Sequence, residues 1–137
     1  MDNLIGLYKA KRKDDGKWVK GYLVKYGSGD YVIYGEILKK LDHETYKCFS
    51  IDKILPETIC EYINTSDNEK SLVFTNDIVE FSYCDEFNDE REYIGFIYKG
   101  DGCYKIATMN NIFYIDSDIK IKKVIGDKFD SFKLLMN

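Results

Sequence analysis

Ala10-Lys-Arg-Lys-Asp-Asp-Gly-Lys-Trp-Val-Lys-Gly-Tyr-Leu-Val-Lys-Tyr26 is the stretch that decides the architecture. Beyond the polar turn Lys11 to Gly16, the residues Trp18, Lys20, Tyr22, Val24 and Tyr26 alternate with Val19, Gly21, Leu23 and Lys25. A period of two, carried by aromatic and β-branched residues, places successive side chains on opposite faces of a strand. Asp15-Gly16 supplies the reversal, and Leu4 to Ala10 supplies the partner, so the spacing predicts a β-hairpin. Gly27-Ser-Gly-Asp30 is a second turn, and Tyr31 to Ile37 has the short apolar run of a third strand. These segments form a three-stranded meander.

Working outward, Leu38 to Glu44 is charged and reads as a loop or one helical turn. Thr45 to Phe49 and Ile51 to Ile54 read as short strands ending at Pro56, the only proline. Proline removes a ladder donor and biases its predecessor away from helix. The organisational boundary is therefore placed there, giving an N-terminal β meander over residues 1–58 and a C-terminal β unit over 59–137, or one compact body. The second part repeats the pattern. Ile59 to Ile63, Asp77 to Tyr83, Tyr93 to Tyr98, Cys103 to Met109, Ile112 to Ile115 and Ile119 to Val124 are strand candidates separated by turn formers. Phe129, Phe132 and Leu135 stand three apart and suggest one helical turn. The fold class is mainly β: hairpin-rich small barrels with at most short helical turns.

Composition supports folding. Of 137 residues, 45% are hydrophobic and 15% aromatic, with 12 Tyr and 8 Phe, too apolar for a disordered chain. The start Met1-Asp-Asn-Leu-Ile-Gly-Leu lacks the basic flank and apolar run of a secretory signal. No stretch reaches the roughly 18 to 20 apolar residues of a membrane span. The expectation is a cytoplasmic protein of a bacterial host cell with no membrane contact. Cys48, Cys60, Cys84 and Cys103 include no Cys-x-x-Cys pair, so they read as reduced thiols rather than a zinc or redox site.

Charge is unevenly distributed. Residues 1–25 hold seven Lys or Arg against Asp2, Asp14 and Asp15, a net +4, which leaves −8 elsewhere on a chain of net −4. Within this basic island Lys11, Arg12, Lys13, Lys17, Trp18 and Lys20, with Tyr8 and Tyr22, combine cations and aromatic faces as single-strand nucleic-acid platforms do. The plainer account is that alternation sends Trp18, Lys20 and Tyr22 to one face and Val19 and Leu23 to the other, with the lysines solubilising the surface.

Three blocks resemble the YopX-like bacteriophage and prophage proteins. The first is Tyr8 to Arg12 followed by Asp15-Gly-Lys-Trp-Val-Lys-Gly-Tyr-Leu23. The second is Pro56-Glu-Thr58, Tyr62, Asp67-Asn68, Phe74 and Asp77-Ile-Val79. The third is Val124-Ile-Gly-Asp127 with Leu134-Leu135. The resemblance implies a β-rich fold with an SH3-like second half, and it carries no biochemical role or functional residues. Where the family usually has glycine this chain has Asn64, Lys70 and Asn76. Asparagine tolerates positive φ, so Asn64 and Asn76 keep those turns, whereas Lys70 is the departure.

Catalytic signatures are sparse. His43, the only histidine, lies in the charged Leu41 to Thr45 and reads as a solvated loop residue, and no Gly-x-Ser-x-Gly elbow accompanies it. Asp85 to Glu92 is rich in carboxylates without the spacing or glycine of an EF-hand, so it reads as an acidic hairpin tip. No glycine-rich phosphate loop is present, and no cofactor is expected. The leading expectation is a non-enzymatic phage or prophage accessory protein acting by protein contact, as a homo-oligomer or with a host or phage protein. The alternative is a nucleic-acid-binding module using the basic hairpin.

Overall fold

The computed structural model describes residues 6–136. The chain is mainly β and divides into two compact units between Tyr62 and Ile63, each with its own core. Among the described residues the only helical elements are two short 3-10 turns, Pro56–Thr58 and Phe132–Met136.

The first unit is an antiparallel sheet of β1 (Leu7–Lys11), β2 (Trp18–Lys25), β3 (Tyr31–Leu41) and β4 (Glu44–Lys53), with the start of β5 (Cys60–Ser66) on the other side of β1. The strands from β1 to β3 match the predicted meander, and Leu4 and Ile5 lie outside the described residues. Leu38 to Glu44 is neither loop nor helix. β3 and β4 form one long hairpin, reversed at Asp42 and His43 with φ of 51° and 67°. Two consecutive positive φ values are the two-residue turn whose twist matches the strands it joins. His43 is exposed at this tip.

Alternation sorts the residues of the sheet. One face buries Ala10, Ile33 and Ile54, with Val19, Leu23, Tyr31 and Ile59 packed against them. Pro56–Thr58 closes the unit. Lys11 N–H donates to Thr58 Oγ1 at 2.9 Å, Leu55 N–H donates to Lys11 O at 2.9 Å, and the Thr58 hydroxyl donates to Leu55 O at 2.7 Å.

The second unit holds the rest of β5, β6 (Leu72–Phe74), and a five-stranded antiparallel sheet. That sheet comprises β7 (Asp77–Cys84), β8 (Glu90–Gly100), β9 (Cys103–Ala107), β10 (Ile112–Tyr114) and β11 (Ile119–Asp127), in the order β10-β9-β8-β7-β11. Val79, Phe81, Ile97, Ile106 and Ile121 form its core with Ile63 and Val73, and Phe113 packs edge-on against Phe81 and tilted against Tyr83 and Tyr93. Of the helical turn expected at the end of the chain, only Leu135 is buried, while Phe129 and Phe132 are exposed. The small closed barrels expected from sequence are absent among the described residues. The order β10-β9-β8-β7-β11 leaves β10, only three residues long, and β11 as two edges that do not pair with each other.

Two turns of this unit share one design. Asp67 Oδ1 accepts the N–H groups of Glu69 and Ser71, and Lys70 N–H donates to Asp67 O. Asp85 Oδ1 accepts those of Phe87 and Asp89, and Asn88 N–H donates to Asp85 O. Each is a three-residue hairpin loop whose last residue, Lys70 or Asn88, takes positive φ, 65° and 62°. Asp67 goes further: its Oδ2 accepts the N–H of Val124, fifty-seven positions away beside a β11 bulge, at 2.9 Å. Burial pushes the Asp67 carboxyl upward, but the three backbone donors together outweigh it and hold the group below 3.8.

A carboxylate whose folded pKa lies below its unfolded value contributes stability above the unfolded pKa, and loses it as pH falls through the folded one. Asp67→Asn presents an amide N–H to at least one of these donors. It is expected to destabilise the protein by about 2 to 3 kcal/mol near neutral pH. In urea titrations the gap between wild type and variant shrinks as pH drops below 3.8; a gap independent of pH from 7 to 3 contradicts the assignment.

Candidate interaction face

The cross-strand register assembles the outer face of the first sheet. Leu7 stands opposite Tyr22, Tyr22 opposite Tyr34, and Tyr34 opposite Ile51, so one row crosses four strands. Directly opposed residues share a face. The neighbouring rows are Lys9 with Lys20, Lys11 with Trp18, and Val24 with Val32 and Lys53. The other face is committed to the core, and on this one Val32 is buried while Tyr22 is 56% exposed, Ile51 60%, and Tyr26 and Val24 are also exposed. An apolar and aromatic surface ringed by lysines on one side of a sheet is the composition of a contact surface rather than of a solvated one.

The structure separates the six basic-hairpin residues named from sequence. Lys11, Trp18 and Lys20 share the outer face, and Lys9 joins them. The ammonium groups of Lys9 and Lys11 lie 5.0 and 5.5 Å from the centre of the Trp18 ring. Arg12 turns to the opposite side, where its guanidinium meets Asp52 at 3.3 Å, Asp14 at 3.2 Å and Asp15 at 3.6 Å. Asp15 is held below the usual carboxylate range, first by the N–H of Lys17 and then by Arg12. Lys13 and Lys17 sit exposed in the turn. Tyr8 stands opposite Gly21, on the core side of β1.

Sequence reasoning missed Tyr34, Ile51 and Lys53, which join the face only through the β2–β3 and β3–β4 registers. The row is tied by a hydrogen bond between the hydroxyls of Tyr26 and Tyr34, 2.5 Å apart. This bond raises the Tyr34 hydroxyl above its usual 10.0.

The second unit contains a groove of about 520 Å³, lined in part by Glu80, Glu92, Ile94, Met109, Lys122 and Leu135. Of its carboxylates Glu92 is bonded by Lys122, which also lies 4.0 Å from Glu90. Hydrogen bonding to Glu92 raises the Lys122 pKa against its burial, and the Ser82 hydroxyl, then Lys122, lower that of Glu90. At the acidic tip, Asp85 Oδ1 is committed to the backbone of its own turn. Among the described residues no group of three or more His, Cys, Asp or Glu side chains stands where it could hold a metal ion. No helix among them is long and apolar enough to cross a membrane.

No protein-family model, curated protein or solved structure matches the chain.

In a spectrophotometric titration, Tyr26→Phe removes the hydroxyl that favours the protonated form of Tyr34. One tyrosine then titrates closer to 10.0 than in the wild type. The stability this bond contributes is present at neutral pH and is lost as pH rises through the raised native value. A Tyr26→Phe titration curve superimposable on the wild type contradicts the tie.

Proposed function

We propose that this chain is a non-enzymatic binding protein that works through macromolecular contact at the outer face of its first sheet, as a phage or prophage accessory protein in the bacterial cytoplasm. The observation that carries the contact reading is the four-strand row Leu7–Tyr22–Tyr34–Ile51, exposed at Tyr22 and Ile51 and bordered by lysines. Aromatic anchors in the centre with charge at the rim are how protein interfaces concentrate their binding energy. The YopX-like reading is supported by the order of the three sequence blocks and by the backbone. Asn64, Lys70 and Asn76, where those proteins usually carry glycine, have φ of 63°, 65° and 71°. Lys70 thus keeps the left-handed turn despite its side chain.

Protein contact is favoured over nucleic acid by what covers Trp18. With two ammonium groups over the ring, a base could stack there only by displacing cation–π contacts worth about 0.5 to 1 kcal/mol each at an exposed site. Arg12, the best phosphate ligand of the hairpin by chemistry, is also committed to three carboxylates.

A photo-crosslinking amino acid placed at Tyr22 or at Ile51 is expected to give the same protein adducts in bacterial cytosol. A label at the exposed Tyr114 gives none of them, and Ile51→Asp removes those formed from position 22. Adducts that are common to all three positions overturn the contact face. Nuclease-sensitive adducts, with low-salt binding of single-stranded DNA or RNA that Lys11→Glu with Trp18→Ala abolishes, establish the nucleic-acid reading instead.

A further inference from the structure

One apolar side chain stands out from its surroundings. Phe87 is 77% exposed at the β7–β8 tip, and its neighbours Asp85, Glu86, Asp89 and Glu90 are all acidic. The tip is not a loose loop. Asp85 Oδ1 takes the N–H of Phe87 and of Asp89, each at 2.9 Å, Asp85 N–H and Asp89 O close the hairpin at 3.0 Å, and Asn88 fixes the reversal with positive φ. A single exposed phenylalanine is ordinary on a protein surface. One held on a turn with a fixed backbone and flanked by carboxylates is a pre-organised anchor, because little backbone freedom remains to be lost on docking.

The outer face of the first sheet has the complementary chemistry: exposed Tyr22, Tyr26 and Ile51 beside Lys9, Lys20 and Lys53. Two such faces do not suit each other, since pairing them opposes lysine rows of like charge. An acidic partner bearing an aromatic anchor suits the face, and the chain carries one itself. Residues 63–137 hold nine Lys or Arg against fourteen Asp or Glu, a net −5, with the acidic tip as their most concentrated segment.

We infer that the occupant of the face is the Phe87 tip of a second copy of this chain, in a head-to-tail contact that places the ring against Tyr22 and Ile51 and the carboxylates among the lysines. The inference rests on the contact-face reading and names its partner. Each copy offers one face and one tip, so two copies can close reciprocally, each tip on the other's face, or more can join into a ring or a short open chain.

This pairing of tip and face has a test that a face-to-face interface fails. Full-length wild type is expected to rise above monomer mass with concentration in light scattering, with the association weakening as salt is added. Phe87→Ser, with its face intact, and Tyr22→Asp with Ile51→Asp, with its tip intact, each self-associate at least roughly thirty-fold more weakly, the loss of an interface anchor. Mixed together, the two variants form a 1:1 dimer that cannot grow, because one intact face and one intact tip remain between them. Matching thermal unfolding of all three proteins excludes misfolding as the cause. A wild type that stays monomeric up to hundreds of micromolar, or a variant mixture that stays monomeric, overturns the inference. Wild-type association retained by Phe87→Ser but lost by the face variant overturns the tip as occupant and leaves the contact face standing.

Discussion

The register between β2 and β3 is the constraint on which the first unit depends. Side chains alternate with a period of two, so a slip of one residue would carry Tyr22 and Tyr34 into the core and bring Ile33 out to water. Two glycines hold the β2–β3 approach, Gly21 and Gly35, where an added β-carbon would lie 2.8 Å from the carbonyl oxygen of Lys20. A β-carbon at Gly21 would lie 2.1 Å from the carbonyl oxygen of Tyr34 and 2.9 Å from Ile33 Cγ2, so only glycine allows the strands to approach this closely. Everything outward of that point follows: Ala10, Ile33 and Ile54 inside, and Tyr22, Tyr34 and Ile51 aligned outside.

The strands near the decisive hairpin were legible because their signals are local. Asp-Gly turns, alternation and aromatic content are all read within about ten residues. The β3–β4 hairpin was not legible, since Asp42 and His43 reverse the chain without glycine and the charges around them hide the alternation. The contact face was half legible for the same reason. Trp18, Lys11 and Lys20 belong to one hairpin, whereas Ile51 and Lys53 reach the face through a pairing some twenty residues away. From sequence Arg12 reads as a surface cation, because one of its three carboxylate partners, Asp52, is distant in sequence.

The twin aspartate turns show how little local chemistry decides by itself. Asp67 and Asp85 build the same hairpin loop with the same backbone bonds. One is buried and spends its second oxygen fastening Val124, so it is structural. The other stands at an exposed tip and displays Phe87. The difference lies in the surroundings each turn meets, which no short motif encodes.

Side-chain footprinting with hydroxyl radicals tests the central claim most directly, because it reads the face itself. At high dilution Tyr22, Ile51 and Phe87 should be oxidised at rates in keeping with their exposure. In concentrated protein all three should be protected together, while Met109 and Tyr114 keep their rates. Equal reactivity of Tyr22 and Ile51 at both concentrations would contradict self-association through this face.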